Sequence, residues 1–140
     1  MILLTGISGF IAKHVALKLL AAGHTVRGTV RRLDRAETVR RALAPHLPPE
    51  ALARLSFVQA DLELEAGWAQ AMAGVGVLVH TASPFPLAQP KDEMELIRPA
   101  RDGTLRVLRA AQAAGVRRVV LTSSVAAILS DDRERISDEG

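Results

Sequence analysis

Cysteine is absent from this sequence. That excludes disulfides, thiolate chemistry and cysteine-based metal sites, and it fits a reducing cytoplasm. Tyrosine is absent too, so the residues present hold no phenolic proton donor. Aromatics are scarce altogether: three Phe and one Trp supply no platform for stacking bases. No run of about 18 apolar residues occurs, which predicts no membrane-spanning helix. The N-terminus has neither a basic segment ahead of an apolar stretch nor a small-residue cleavage site, so no signal peptide is expected. The four His are spread without ligand spacing, and no metal site is expected.

What remains is an ordinary globular composition. The chain has 140 residues, 49% of them hydrophobic and 24% charged. That suits one domain, long enough to bury roughly 70% of its unfolded surface. The net charge is +3, with Arg far outnumbering Lys. The arginines are scattered over the whole chain, which reads as solvated helix faces and not as a nucleic-acid surface.

Short apolar runs alternate with helical patterns. Strands are expected at Met1–Leu4, Thr25–Val30, Leu55–Ala60, Val75–His80 and Arg118–Thr122. Helices are expected at Gly9–Ala22 (through Phe10, Val15 and Leu19, closed by Gly23), Arg35–Ala44, Glu50–Arg54, Glu65–Met72 and Glu93–Ala114. Pro45 and Pro48-Pro49 stop the second of these, and Pro84, Pro86 and Pro90 mark a loop. Five alternations predict an α/β fold: a Rossmann-type doubly wound parallel sheet in three αβα layers. Its strands read as continuous apolar runs, as expected when both faces are covered. In the strand order 3-2-1-4-5-6 the fifth strand would be an uncovered edge, as though the fold were cut short there. Residues 1–129 are expected to form the domain, with 130–140 a polar tail.

The most informative segment is Thr5-Gly6-Ile7-Ser8-Gly9-Phe10-Ile11-Ala12, between the first strand and the first helix. Gly6 permits the tight turn, Gly9 lets the backbone approach a pyrophosphate, and Ala12 lets the helix pack closely on the strand. The helix N-terminus offers free N–H groups and the positive end of the dipole. Ser8 could cap the helix, contact phosphate, or both. The second strand ends Thr29-Val30-Arg31-Arg32, where NAD sites usually carry an acidic residue for the ribose. Arg31, with Arg32 as helper, could instead bind a 2′-phosphate, while Asp34 is a competing ribose ligand. His80 ends an apolar strand and reads as packed, and Trp68 as core.

With these residues in place, the chain resembles the extended short-chain dehydrogenases/reductases. It is most similar to the branch of dihydroflavonol 4-reductases, cinnamoyl-CoA reductases and bacterial aldehyde reductases. The matching stretches are T-G-x-S-G-F-I-A at 5–12, G-T-V-R at 28–31, A-D-L at 60–62, H-T-A-S-P-F at 80–85, G-T-L-x-V-L at 103–108 and R-R-V-V-L-T-S-S-V-A-A at 117–127. They follow the family's order and spacing along the whole chain, and Pro99 in the long helix suits this branch.

The resemblance implies a cofactor, NADP(H), and assigns residues to it. Gly6, Ile7, Ser8, Gly9, Phe10 and Ile11 would form the phosphate turn, and Arg31 and Arg32 would hold the 2′-phosphate. Asp61 and Leu62 would flank the adenine, the alternative for Asp61 being a helix cap. Thr81, Ala82 and Ser83 would line the ribose and pyrophosphate, with Thr122 and Ser123 near the cofactor. Ser124 would be catalytic, hydrogen-bonding the carbonyl of a small-molecule substrate. Hydride transfer to an aldehyde or ketone is the implied reaction, in a cytoplasmic enzyme free to form a homodimer. The family's Tyr-x-x-x-Lys pair is missing, and Ile136-Ser137-Asp138-Glu139 resembles the stretch that precedes it. Two other readings use the same scaffold: a nucleotide-sugar epimerase/dehydratase or hydroxysteroid dehydrogenase, and a non-catalytic NADP-binding sensor.

Overall fold

A computed structural model describes residues 1–84 and 92–127. The Pro86–Pro90 part of the expected loop, Phe85 and the whole 130–140 tail lie outside the described residues.

Five parallel strands form one sheet: β1 (Ile2–Thr5), β2 (Val26–Val30), β3 (Leu55–Gln59), β4 (Val77–His80) and β5 (Arg118–Leu121). Their order is β3-β2-β1-β4-β5, the doubly wound arrangement that the alternation predicts. The helices are α1 (Phe10–Ala21), α2 (Arg35–Leu43), α3 (Pro49–Leu52), α4 (Trp68–Met72) and α5 (Met94–Ala113).

Because side chains alternate across a strand, β1 feeds two apolar layers. Leu3 joins Leu78, Trp68, Met72, Val107 and Ala111 beneath α4 and α5. Leu4 joins Ile7, Leu20, Val26, Val39 and Leu43 beneath α1 and α2.

Some boundaries differ from the sequence reading, each for a physical reason. The fully buried stripe of α1 is Ala12, Ala16 and Leu20; of the expected Phe10, Val15 and Leu19, the last two pack partly buried against the same core and Phe10 does not. Alanines let the helix approach the sheet, and Phe10 is left 76% exposed, its ring edge-on to His14 at 4.6 Å. The end of α1 matches expectation: Gly23 N donates to Leu20 O and His24 N to Leu19 O, the Schellman pattern. The fourth helix begins at Trp68, three residues later than Glu65. Gly67 has φ +89, and a Cβ there would lie 2.4 Å from Gln59 O, so the chain reverses at Gly67 before it can wind. After α2, Pro45 does not end the winding at once, because a 3-10 turn runs over Ala44–His46. At β5 the expectation of covered faces fails. Val119, Val120 and Leu121 on this end strand are 40–51% exposed.

Candidate cofactor site

The carboxyl ends of β1 and β4 lie side by side at the point where the strand order reverses, and the crevice that opens there is the natural ligand position in such a sheet. A cleft of about 320 Å³ occupies it. Gly6, Ser8 and Gly9 line it from the first turn, and Thr29, Val30 and Arg31 from the end of β2. Asp61 and Leu62 line it after β3, and Thr81, Ala82 and Ser83 after β4. These residues are distant in sequence; the fold gathers them around one cavity.

The first turn is shaped by backbone constraints. Gly6 has φ +66, and a Cβ on it would stand 3.0 Å from the Ala82 Cβ. Only glycine fits that conformation and that approach without strain. Gly6 N donates to Thr29 Oγ1 at 3.0 Å, Ile7 N to Thr29 O at 3.2 Å and Gly9 N to Gly6 O at 2.9 Å. The first bond of α1 runs from Lys13 N to Gly9 O. The amides of Phe10, Ile11 and Ala12 therefore have no helical acceptor, and they stand at the positive end of a three-turn helix. Free amides at a helix N-terminus are suited to receive an anion such as a phosphate group. Ser8 does not cap α1: the N-cap is Gly9 and makes no side-chain cap bond, which leaves Ser8 exposed at the cleft. Ile7 contributes backbone to the turn, while its side chain is wholly buried in the core.

At the end of β2 a second recess, about 500 Å³, is lined by Ser8, Arg31, Arg32, Arg35 and Asp61. Three guanidinium groups against one carboxylate in its lining give the recess a positive charge. Arg32 is paired with Asp34 through two hydrogen bonds. That pairing holds the Asp34 carboxyl below its usual range and occupies the competing ribose ligand. Arg31 has no ion-pair partner among the described residues. Arg35 was not anticipated. It opens α2, and the turn through Leu33 and Asp34 brings it beside Arg31; its four-residue spacing from Arg31 is the signal that could have found it.

On the far wall, Asp61 does not cap a helix. Its Oδ1 accepts Glu63 N at 3.1 Å within its own turn, and its carbonyl accepts Trp68 Nε1 at 2.9 Å. Trp68 is 2% exposed, as expected of a core residue, yet its indole also fixes the Asp61–Leu64 turn through Leu64 O at 3.0 Å.

His80 is buried, as expected. Burial pushes its pKa down to about 4, so the ring is neutral and is no base at ordinary pH. Thr122, Ser123 and Ser124 follow β5 at the same edge of the sheet, one strand beyond Thr81–Ser83. Thr122 N donates to His80 O at 3.0 Å. The three line neither recess. Among the described residues no group of acidic or His side chains could hold a metal ion, and no helix is long and apolar enough to cross a membrane.

Comparison with known proteins bears on this geometry. The profile described as "NAD dependent epimerase/dehydratase family" matches residues 2–139. A dihydroflavonol 4-reductase of Hordeum vulgare is 37% identical over 96% of this chain. Cinnamoyl-CoA reductase 1 of Petunia hybrida is 39% identical over 96% of it. The chain spans only 37% and 39% of the length of these two relatives. Among solved structures, Gre2 from Candida albicans in complex with NADPH superposes with a TM-score of 0.81 at 33% identity. That match covers 94% of this chain and 39% of the other.

Proposed function

The chain belongs to the NAD dependent epimerase/dehydratase family, and on that premise we propose that it is the cofactor-binding part of an NADPH-dependent carbonyl reductase. The observation that carries this reading is the cationic recess at the end of β2, lined by Arg31, Arg32 and Arg35, which a 2′-phosphate would enter. A carboxylate at the end of β2 would favour a free 2′-hydroxyl; here the one that follows this strand, Asp34, is bound to Arg32. The crystal structure of the similar Gre2 contains NADPH, in line with this assignment.

On this reading residues 1–129 are the NADP-binding unit. Gly6–Ile11 would hold the pyrophosphate on the amides that open α1. Asp61 and Leu62 would flank the adenine, and Thr81, Ala82 and Ser83 the ribose and pyrophosphate. Bound NADPH supplies the hydride for an aldehyde or ketone carbonyl. Ser124 would orient the carbonyl oxygen, with Thr122 and Ser123 beside the cofactor. The 140 residues contain no tyrosine, the family's proton donor, so by themselves they should bind cofactor without reducing substrate. The epimerase/dehydratase alternative, which commonly favours NAD(H), is less well served by three arginines.

Titration with NADPH and NADH tests the proposal. A charge-assisted contact contributes about 1.5–3 kcal/mol, so NADPH should bind roughly 10- to 150-fold more tightly, and Arg31→Ala should erase most of that margin. Tighter binding of NADH by the unaltered protein would overturn it.

A further inference from the structure

The ends of β1 and β4 are joined by a buried hydrogen-bond cluster that the proposed cofactor roles leave unexplained. Thr5 is 0% and His80 1% exposed. Thr81 N and Ala82 N both donate to Thr5 Oγ1, each at 3.1 Å. Thr81 Oγ1 donates to Thr5 O at 2.6 Å. The remaining neighbour of Thr5 Oγ1 is His80 Nδ1, at 2.7 Å.

A hydroxyl has one proton and two lone pairs. Both lone pairs of Thr5 face amide donors, so its proton goes to His80 Nδ1. The ring is neutral, so its own proton sits on Nε2, which is buried without a hydrogen-bond partner among the described residues. A residue needed only for packing would be apolar here, as Leu78 is two places earlier on the same face. Histidine instead leaves one N–H desolvated and unpaired. What it offers that leucine cannot is an acceptor for the Thr5 proton, and that acceptor locks the hydroxyl so that both lone pairs point at the turn after β4. The same turn packs on the glycine turn, since a Cβ on Gly6 would stand 3.0 Å from the Ala82 Cβ.

We infer that His80 is a positioning residue. By accepting the Thr5 proton at Nδ1 it fixes the Thr81–Ser83 turn against Gly6, and so sets the wall of the cleft that meets the nicotinamide-side ribose and phosphate of the cofactor. The inference rests on the NADPH reading above.

The test uses the protein at its full natural length and two probes, NADPH and adenosine 2′,5′-bisphosphate. The second carries the 2′-phosphate but lacks the nicotinamide half. His80→Leu removes the acceptor and should weaken NADPH about tenfold, the scale of one hydrogen bond, while leaving the bisphosphate unchanged. His80→Asn places Oδ1 where Nδ1 was and should restore NADPH binding to near the original. His80→Gln carries its oxygen one bond too far and should behave like His80→Leu. If His80→Leu does not fold, the Asn and Gln variants decide alone. Equal NADPH affinity in Asn and Gln variants, or equal weakening of both probes, overturns the inference. An unaltered protein that binds the bisphosphate and NADPH no better than NADH fails the NADPH reading itself, and the inference with it.

Discussion

Gly28 sits in the middle of β2, paired with Leu4 of β1 and Phe57 of β3. In sequence it reads as a weak point in a strand. Its reason is Ile7: a Cβ at Gly28 would lie 2.5 Å from Ile7 Cδ1 and 2.9 Å from Ile7 Cβ. The δ carbon could swing away, but the Cβ of a β-branched side chain cannot. Ile7 belongs to the glycine turn, so its burial on Gly28 anchors that turn to the sheet. Gly28→Ala should cost about 1–3 kcal/mol by overpacking. Ile7→Ala in the same chain should return part of that loss, so the two changes should couple in a double-mutant cycle followed by urea denaturation. Simple additivity would mean that the clash is relieved elsewhere.

Helices and strands are tied by arginines that the sequence reading assigned to solvated faces. Arg27 on β2 donates from one guanidinium nitrogen to Ala71 O and Ala73 O, both at 2.8 Å, and to Gln70 O at 3.3 Å, closing the end of α4. Arg40 on α2 reaches Leu52 O and Leu55 O, and Arg54 reaches Leu20 O at the end of α1. These carbonyls stand at helix or strand ends, where the regular N–H ladder runs out, although Leu20 O and Gln70 O also accept the amides of Gly23 and Ala73. Arg27→Met keeps most of the aliphatic stem but removes the donors. A loss of about 1–2 kcal/mol is expected, read as a lower urea midpoint at unchanged slope, with Arg27→Lys falling between. An unchanged midpoint for Arg27→Met would show that water replaces the donors without cost. The contrast explains which parts of the fold could be read in advance. The β1 turn, the order of elements and the glycine closing α1 are written in neighbouring residues. In helix α1 only Phe10 departs from expectation, because the small Ala12 and Ala16 make the closest contact with the sheet while Val15 and Leu19 pack beside them. Arg27 and Arg40 act on partners 12 to 46 residues away, and their targets are backbone atoms that no side-chain pattern marks. The candidate site divides the same way: the glycine turn, Arg31 and Asp61 were legible, whereas Arg35 and the Thr5–His80 link depend on how distant segments meet.

For the molecule as a whole, the buried imidazole makes folding depend on pH. His80 has an ordinary pKa of 6.5 when exposed and one of about 4 in the folded chain. Between those values the unfolded chain binds a proton that the folded chain refuses. Stability therefore rises with pH across this window, is complete above about 6.5, and is lost as the pH falls toward 4. The full difference is about 3 kcal/mol, a large share of what holds a domain of this size together. Protonation would also place a hydrogen on Nδ1, facing the proton of Thr5, so the strand-end cluster should come apart in the same pH range. Unfolding free energies measured by urea at several pH values between 4 and 7 check this. The unaltered chain should lose stability steeply below pH 6.5. His80→Asn, which keeps an acceptor but cannot ionise, should show a much shallower decline, left to the carboxylates. Parallel curves for the two would mean that His80 takes up its proton without unfolding the chain, and that the ring finds in the folded state a partner for its charge.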